Sequence, residues 1–323
     1  MGDFMIRSIC FNPVIDRVYF IDDFTASGKF REIVPQVFVG GKGVNIAKVI
    51  AQLSEHCVLY SFIGGYGGQL TRSKMERMGV DFRYVEMAGE MRTTINVIDR
   101  KNHRETEITE RSTAVLPEQE DSLLKIVKRD ISRGDIVVCS GIPMTGMKAG
   151  VYKAVSAWCR EKGAKCILDT NNRYLEESLP AHYSFMKPNL AELKELHHVK
   201  TIQNNEQMTS LAAKTLDMGI ENLLISTGRS GGLFFSKKSA LKITVPDKAV
   251  ASTIGSGDST VAGYCVALQR GYALNDCLKY AMACGVCNAM FPQVGYVEQK
   301  TVEQLVDQIE ISPMQCGKEC LSR

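Results

Sequence analysis

The sequence predicts an α/β fold: a doubly wound, mostly parallel sheet carrying a small β-sheet lid, in one domain over residues 1–323. Three observations predict it. After Pro117 the chain alternates regularly between apolar strand-like runs and segments with helical spacing, the pattern of a parallel sheet with crossover helices. Two glycine-rich turns, Gly40 to Gly43 and Gly255 to Gly257, each open directly into an apolar helix-like segment. Between them, β-branched alternating stretches within 17–39 and 92–110 read as strands of a smaller sheet, the lid.

Composition bounds the function. The 323 residues are 45% hydrophobic and 23% charged, ordinary for a globular protein with a large core. A net charge of +3 is too small to argue for nucleic acid or a membrane surface as partner. No apolar run approaches a membrane span and the start has no signal-peptide pattern, so the expected location is cytoplasmic. The eleven cysteines are scattered, several within apolar runs, as reduced thiols in a core are. Cys284-x-x-Cys287 and Cys316-x-x-x-Cys320 are the pairs to check for metal, but no histidine falls at ligand spacing from either.

In chain order, Phe4–Phe11 reads as a strand ending at the Asn12-Pro13 turn signal, with Asp16 just beyond. Val18–Ile21 and Ile33–Val39 are strand-like, and Pro35 argues for an edge or a bulge. Residues 46–53 follow the first glycine turn with helical spacing. A buried strand over 56–63 ends in Gly64–Gly68 and leads to a helix over Gln69–Met78. Phe82–Val85, Thr93–Ile98 and Thr106–Thr109 are expected to be antiparallel strands joining 17–39 in the small sheet. Helices are expected over 118–132, 148–162, 190–197 and 206–218, with strands over 135–139, 165–168, 184–186 and 222–226. A hairpin over 232–245 precedes the second glycine turn and its helix. Two further helices, over 274–291 and 302–309, precede a tail from Ser312 that lacks periodicity.

In such sheets ligands sit beyond the carboxyl ends of the strands, and here those ends are polar. They carry Asp16, Ser140-Gly141, Asp169-Thr170-Asn171, Lys187-Pro188-Asn189 and Ser226-Thr227-Gly228. Asp258 lies at a helix start whose free N–H groups and dipole favour an anion. A carboxylate there is placed to take a proton while the turn holds developing charge; it is equally a residue type that caps helices. Asn189 and Glu192 are three apart at a helix start, suited either to hold waters of Mg²⁺ or to cap that helix. Gly40–Asn45 is not a Walker A loop, since Gln36 stands where that pattern needs its first glycine.

These motifs together resemble the ribokinase-like (PfkB) carbohydrate kinases. Gly40-Gly41-Lys42-Gly43-x-Asn45, Thr253-x-Gly255-Ser256-Gly257-Asp258 and Asn189-x-x-Glu192 are similar to that family's motifs, and the likeness runs from Asn12 to about Tyr296. Asn12-Pro13-x-Ile15-Asp16, Arg92-Thr93, Thr106-Glu107-Ile108 and Lys187-Pro188-Asn189 make it most similar to the phosphosugar branch, the 1-phosphofructokinases and tagatose-6-phosphate kinases. The resemblance implies an ATP-dependent, Mg²⁺-requiring kinase of a ketohexose monophosphate, fructose 1-phosphate or tagatose 6-phosphate. It implies Asp258 as general base, with the backbone of Gly255, Ser256 and Gly257 as the anion hole. Asp16, Gly40, Gly41 and Asn45 would hold sugar hydroxyls; Lys42, Arg92, Ser140 and Arg31 would hold the sugar's phosphate. Lys187, Ser226, Thr227, Gly228 and Gly231 would line the ATP site with Asn288 near the adenine, and Asn189 and Glu192 would organise Mg²⁺. It also implies a homodimer paired through the lid.

Two departures fall at the substrate end: Lys29-Phe30-Arg31 lacks the asparagine usual before the arginine, and Ile142–Gly146 lacks the usual proline-paired loop. The alternatives are a kinase of a non-phosphorylated sugar or nucleoside on the same fold, and a sugar-phosphate sensor without turnover. A dehydrogenase is disfavoured because no G-x-G-x-x-G follows the first strand.

Overall fold

The computed structural model describes residues 4–171 and 173–314. The N-terminal part runs β1 (Ile6–Cys10), β2 (Val14–Ile21), β3 (Gln36–Gly40), α1 (Lys42–Gln52), β4 (Cys57–Ile63), α2 (Gly65–Arg77) and β5 (Asp81–Glu86). Strands β6 (Thr93–Asp99) and β7 (Arg104–Thr109) follow. Alternation then gives α3 (Pro117–Asp130), β8 (Ile136–Ser140), α4 (Val151–Lys162), β9 (Lys165–Asp169), α5 (Arg173–Ser178), β10 (Phe185–Met186) and α6 (Leu190–Leu196). The chain ends with α7 (Asn205–Asp217), β11 (Asn222–Ser226), β12 (Gly232–Ser236), β13 (Ala240–Thr244), α8 (Ser256–Gln269), α9 (Leu274–Ala289), α10 (Gln299–Val306) and β14 (Glu310–Pro313).

Ten strands form one sheet in the order β14-β13-β12-β11-β10-β9-β8-β1-β4-β5, and four form a second in the order β3-β2-β6-β7. From β11 across to β5 every pairing in the large sheet is parallel; β12, β13 and β14 add an antiparallel end. The parallel stretch is buried on both faces: β4 and β8 are buried at every position, as strands covered by helices on two sides must be. Parallel pairing also puts the C-terminal ends of β1, β8, β9, β10 and β11 on one edge of the sheet, where the site is built.

The structure corrects the sequence-based expectation in four places. Phe82–Val85 belongs to the large sheet, not the lid: β5 lies parallel to β4, with Leu59 opposite Phe82. The intervening α2 returns the chain to the same edge, the βαβ connection that parallel pairing requires. That helix begins at Gly65 rather than Gln69, because the exposed Glu90 carboxylate accepts the N–H groups of Tyr66 and Gly67 at its first turn. Ile33–Pro35 lie outside β3, which starts at Gln36 after the proline and is an edge strand. At the other end, Ser312 and Pro313 belong to β14, paired antiparallel with β13; the rest of the tail, with Cys316 and Cys320, lies outside the described residues.

The nine described cysteines are free and buried. Among the described residues no cluster of three or more His, Cys, Asp or Glu is placed to hold a metal ion, and no helix is long and apolar enough to cross a membrane.

Candidate active site

The two glycine turns meet. Gly255 takes φ 79°, a left-handed conformation that glycine adopts freely, and turns the chain into α8. The N–H of Ser256 closes this turn on Thr253 O at 3.2 Å, while those of Gly255, Gly257 and Asp258 have no backbone acceptor among the described residues. Gly257 lies against the Lys187 ammonium, since a Cβ there would fall 3.1 Å from Lys187 Nζ. Asp258 is 7% exposed. Its Oδ2 accepts from Asn45 Nδ2 at 2.8 Å, which ties α8 to α1. Burial raises the Asp258 pKa to about 6, against the pull of Lys42, Asn45 and Lys187 and with the help of Asp169.

Beside Asp258 lies a charged cluster. Lys42 Nζ, at the start of α1, is 3.2 Å from Asp169 Oδ1 and 3.7 Å from Glu192 Oε1. Lys187 Nζ is 3.9 Å from the same Asp169 oxygen. Burial opposes charge on Lys42, but Asp169, Glu192 and Asp258 outweigh it and hold its pKa above the ordinary lysine value. Lys42, Lys187, Glu192, Gly257 and Asp258 line one end of a cleft of about 470 Å³. Ser226, Gly228 and Gly231 also line it, and Val250, Met282, Val286 and Met290 give it apolar wall. Lys42 therefore lines this cleft together with Lys187.

On the other side of Asp258 the small sheet covers the strand ends. Asp16 is 8% exposed, and burial raises its pKa to about 6 although Lys48 and Arg92 oppose this. Gly40 lies so close that a Cβ there would fall 2.0 Å from Asp16 Oδ2, so a side chain at position 40 would displace the carboxylate. Ser140, at the end of β8, stands in register between Cys10 and Asp169. Arg92 Nη2 donates to Asn12 O at 3.3 Å. Three polar atoms here are buried without a hydrogen-bond partner: Asn12 Oδ1, Arg92 Nε and Ser140 Oγ. Burial also lowers the Arg92 pKa, although Cys10, Asp16 and Glu107 oppose this. Arg31 does not join them; it is exposed in the loop between β2 and β3, without a hydrogen bond or ion pair among the described residues.

Three expected contacts take another place. Asn45 is 4% exposed, and its amide is spent on Asp258 and on Lys48 Nζ, which donates to Asn45 Oδ1 at 3.2 Å. Asn288 is fully buried behind the second glycine turn, donating to Ile254 O and Ser256 Oγ and accepting from Ser259 Oγ and the Tyr296 N–H. All its capacity is used there, so it braces the turn rather than facing an adenine. Thr227 closes a tight turn by donating its N–H to Gly231 O at 3.0 Å and does not line the cleft.

Residues 7–296 match the family described as pfkB family carbohydrate kinase. The chain belongs to this family of kinases. Tagatose-6-phosphate kinase of Staphylococcus epidermidis is 29% identical over 313 residues, covering 95% of this chain and 99% of its own. Phosphofructokinase-2 from Escherichia coli, in a tetrameric inhibited form, superposes with a TM-score of 0.85 at 21% identity, covering 94% of this chain and 98% of that one. Its complex with fructose-6-phosphate gives 0.84 at 20% identity, covering 95% and 99%. At these identities the two structures share the fold.

As a site for a carbohydrate kinase the geometry adds residues that sequence reasoning passed over. Asp169 is 2% exposed, accepts from Lys42, and keeps Oδ2 without a partner. Its position at a strand end was the one signal of this in the sequence. Asn12 was read as a turn signal; that its side chain is left unpaired is visible in three dimensions alone. A hydrated Mg²⁺ fits the donor set as Glu192, which lines the cleft, and Asp169 Oδ2, the buried oxygen left without a partner behind Lys42. Asn189 instead caps the helix. Its Oδ1 accepts the N–H groups of Ala191 and Glu192, while Glu192 Oε2 accepts from the Asn189 N–H. This capping box holds Glu192 with its second oxygen toward Lys42.

Proposed function

We propose that this kinase transfers the γ-phosphoryl group of ATP to a hydroxyl of a ketohexose monophosphate, fructose 1-phosphate or tagatose 6-phosphate. The observation that carries the reading is the unpartnered set of Asn12 Oδ1, Arg92 Nε and Ser140 Oγ beyond the strand ends. Buried polar groups are normally satisfied, and an arginine left short of acceptors in such a place suits an oxyanion of the substrate. The name of the Staphylococcus epidermidis relative supports the same substrate class.

Asp258 takes the proton of the attacking hydroxyl, the oxygen bonds to the γ-phosphorus, and the bond to the ADP oxygen breaks. The free N–H groups of Gly255 and Gly257, with Lys187 beside them, face the charge that moves during transfer. The apolar wall of the cleft takes the nucleotide base, and Gly228 and Gly231 line the path of the phosphates. Glu192 and Asp169 would hold Mg²⁺, which when bound supplies charge neutralisation for the phosphates. The protein acts in the cytoplasm as a homodimer paired through its four-stranded sheet.

The test is a coupled ADP-release assay against a panel of ketohexoses with and without phosphate. Turnover restricted to phosphorylated members is expected; equal turnover of free fructose would remove the phosphate subsite. Asp258→Asn should lower kcat by at least about 100-fold, the lower range for a lost general base, with substrate KM values nearly unchanged. A kcat close to wild type would overturn the base assignment.

A further inference from the structure

Lys48 is a lysine in a place where lysines are rare. It lies on α1 three residues after Asn45, is 6% exposed, and has no carboxylate within ion-pair distance among the described residues. Its Nζ donates to Val39 O at 3.2 Å, Asn45 Oδ1 at 3.2 Å and Val294 O at 2.6 Å. These acceptors come from three parts of the molecule. Val39 is in β3, one residue before the Gly40-Gly41 turn that joins the small sheet to α1. Asn45 is on α1, and Val294 is in the loop after α9.

Three oxygens converging on one nitrogen need three N–H donors, and an ammonium supplies three with no lone pair. A neutral amine would turn its lone pair toward one of the oxygens. The ammonium also settles which way Asn45 faces. With Oδ1 held by Lys48, Nδ2 is left for Asp258 Oδ2 at 2.8 Å. A flipped amide would set its oxygen against the carboxylate and its NH₂ against a cation.

We infer that Lys48 is a positioning residue for phosphoryl transfer: its ammonium orients Asn45 so that Asn45 Nδ2 holds the Asp258 carboxylate, and it ties the hinge of the small sheet to the same point. The inference rests on Asp258 as base. Lys48 is not among the residues that line the cleft, and its hydrogen bond to Asn45 is its route to Asp258.

The charged groups around this relay set its pH range. Lys48 faces Asp16 from β2, Lys74 from α2 and Asp258 from α8. Burial lowers its pKa to about 8, Asp16 and Asp258 opposing and Lys74 adding. Asp258 in turn faces Lys42, Asp169 and Lys187. As pH rises through about 8 the wild type should lose the Lys48 proton, and with it the fixed amide.

The experiment compares wild type, Lys48→Met, Lys48→Arg and Asp258→Asn. It measures kcat, both KM values and pH–rate profiles with ATP and whichever of tagatose 6-phosphate or fructose 1-phosphate the wild type turns over, alongside thermal melts. Lys48→Met should lower kcat by about tenfold or more, the scale of a lost hydrogen bond to a charged group. Its KM for ATP should stay within about twofold of wild type, and its acid limb should move to higher pH as Asp258 loses a donor. Lys48→Arg should recover most of kcat and shift the alkaline limb upward, because a guanidinium keeps its proton. Lys48→Met with wild-type kcat and an unmoved acid limb, alongside inactive Asp258→Asn, overturns the role of Lys48 alone. Active Asp258→Asn overturns the base assignment and Lys48 with it. Where Lys48→Met fails to fold, wild type against Lys48→Arg decides: an unmoved alkaline limb overturns the inference.

Discussion

Asp258 is held where its ionised form is least comfortable, and that discomfort has opposite consequences for chemistry and for stability. A base is most effective with a pKa near the working pH, and burial raises that of Asp258, the base proposed above, to about 6. kcat/KM should therefore rise through about pH 6 rather than near the ordinary 3.8 of an aspartate. For stability the sign follows from proton binding: between about 3.8 and 6 the folded state holds more protons than the unfolded state, so stability falls as pH rises across that window. Asp258→Asn removes this cost and keeps an oxygen for Asn45. Its Tm should exceed that of wild type by about 1–4 °C at about pH 7.5, with the gain fading toward about pH 5; scanning calorimetry at both pH values checks it. A Tm at or below wild type throughout would mean that burial does not load this carboxylate. Arg92 gives the complementary case on the sugar side. Arg92→Ala should raise KM for the phosphosugar at least about tenfold, the scale of one lost charge-assisted bond, and leave KM for ATP nearly unchanged. Parallel rises in both would place the phosphate elsewhere. Residue types and their order made Asp258, Gly257 and Lys187 legible from sequence. Asn288 was misplaced because a polar side chain near a motif can face the ligand or the protein, and spacing along the chain does not say which.

At the scale of elements, the short helix α6 bears on the proposed Mg²⁺ site through its cap. It has seven residues, too few for stability on its own. Its first turn is held by the reciprocal bonds of Asn189 and Glu192. The two readings of Asn189-x-x-Glu192, cap or metal pair, divide between the residues: Asn189 caps, and Glu192 both caps and reaches the cleft. Asn189→Ala should cost about 1 kcal/mol of stability, as the loss of an N-cap does. It should also raise the Mg²⁺ concentration for half-maximal activity, since Glu192 loses its anchor, while Asn189→Asp restores both. Loss of stability with an unchanged Mg²⁺ requirement would separate the cap from the metal. Helices of this kind were legible because capping residues and 3.6 periodicity are local signals. β5 and the start of α2 were not, because the partner of Phe82–Val85 is β4 and the cap of α2 is Glu90, 23 residues beyond Gly67. Neither dependence is written in neighbouring residues.

At the scale of the whole molecule, the two faces of the small sheet have different uses. Register places Phe38, Asp16, Thr94 and Thr109 side by side across β3, β2, β6 and β7. That row includes Asp16, whose surroundings are Lys48, Arg92 and Asp258, so it is the face over the site. One residue along, Val37, Arg17, Ile95 and Ile108 form a row on the opposite face. Val37 is 44% exposed and Ile108 57%, and Val34 beside the edge strand is 87% exposed. The sequence showed these strands as alternating and β-branched; that Val37, Ile95 and Ile108 share a largely apolar outward row around Arg17 follows from the register, and that β3 and β7 are the edges from the strand order. An apolar face between open edges fits pairing with a second copy, which would cover both. Ile108→Glu tests this without disturbing the fold of one subunit, because a surface substitution at an exposed position changes stability by about 0.5 kcal/mol or less. With the proposed pairing, light scattering after size exclusion should give the mass of two chains for the wild type and of one chain for Ile108→Glu, with Tm of both recorded alongside. A variant that keeps the dimer mass would place the contact on another surface. Because Asp16 and Ile108 sit on the same four strands, the monomeric variant is also expected to show a raised sugar KM, as the sheet that carries Asp16 loses its brace.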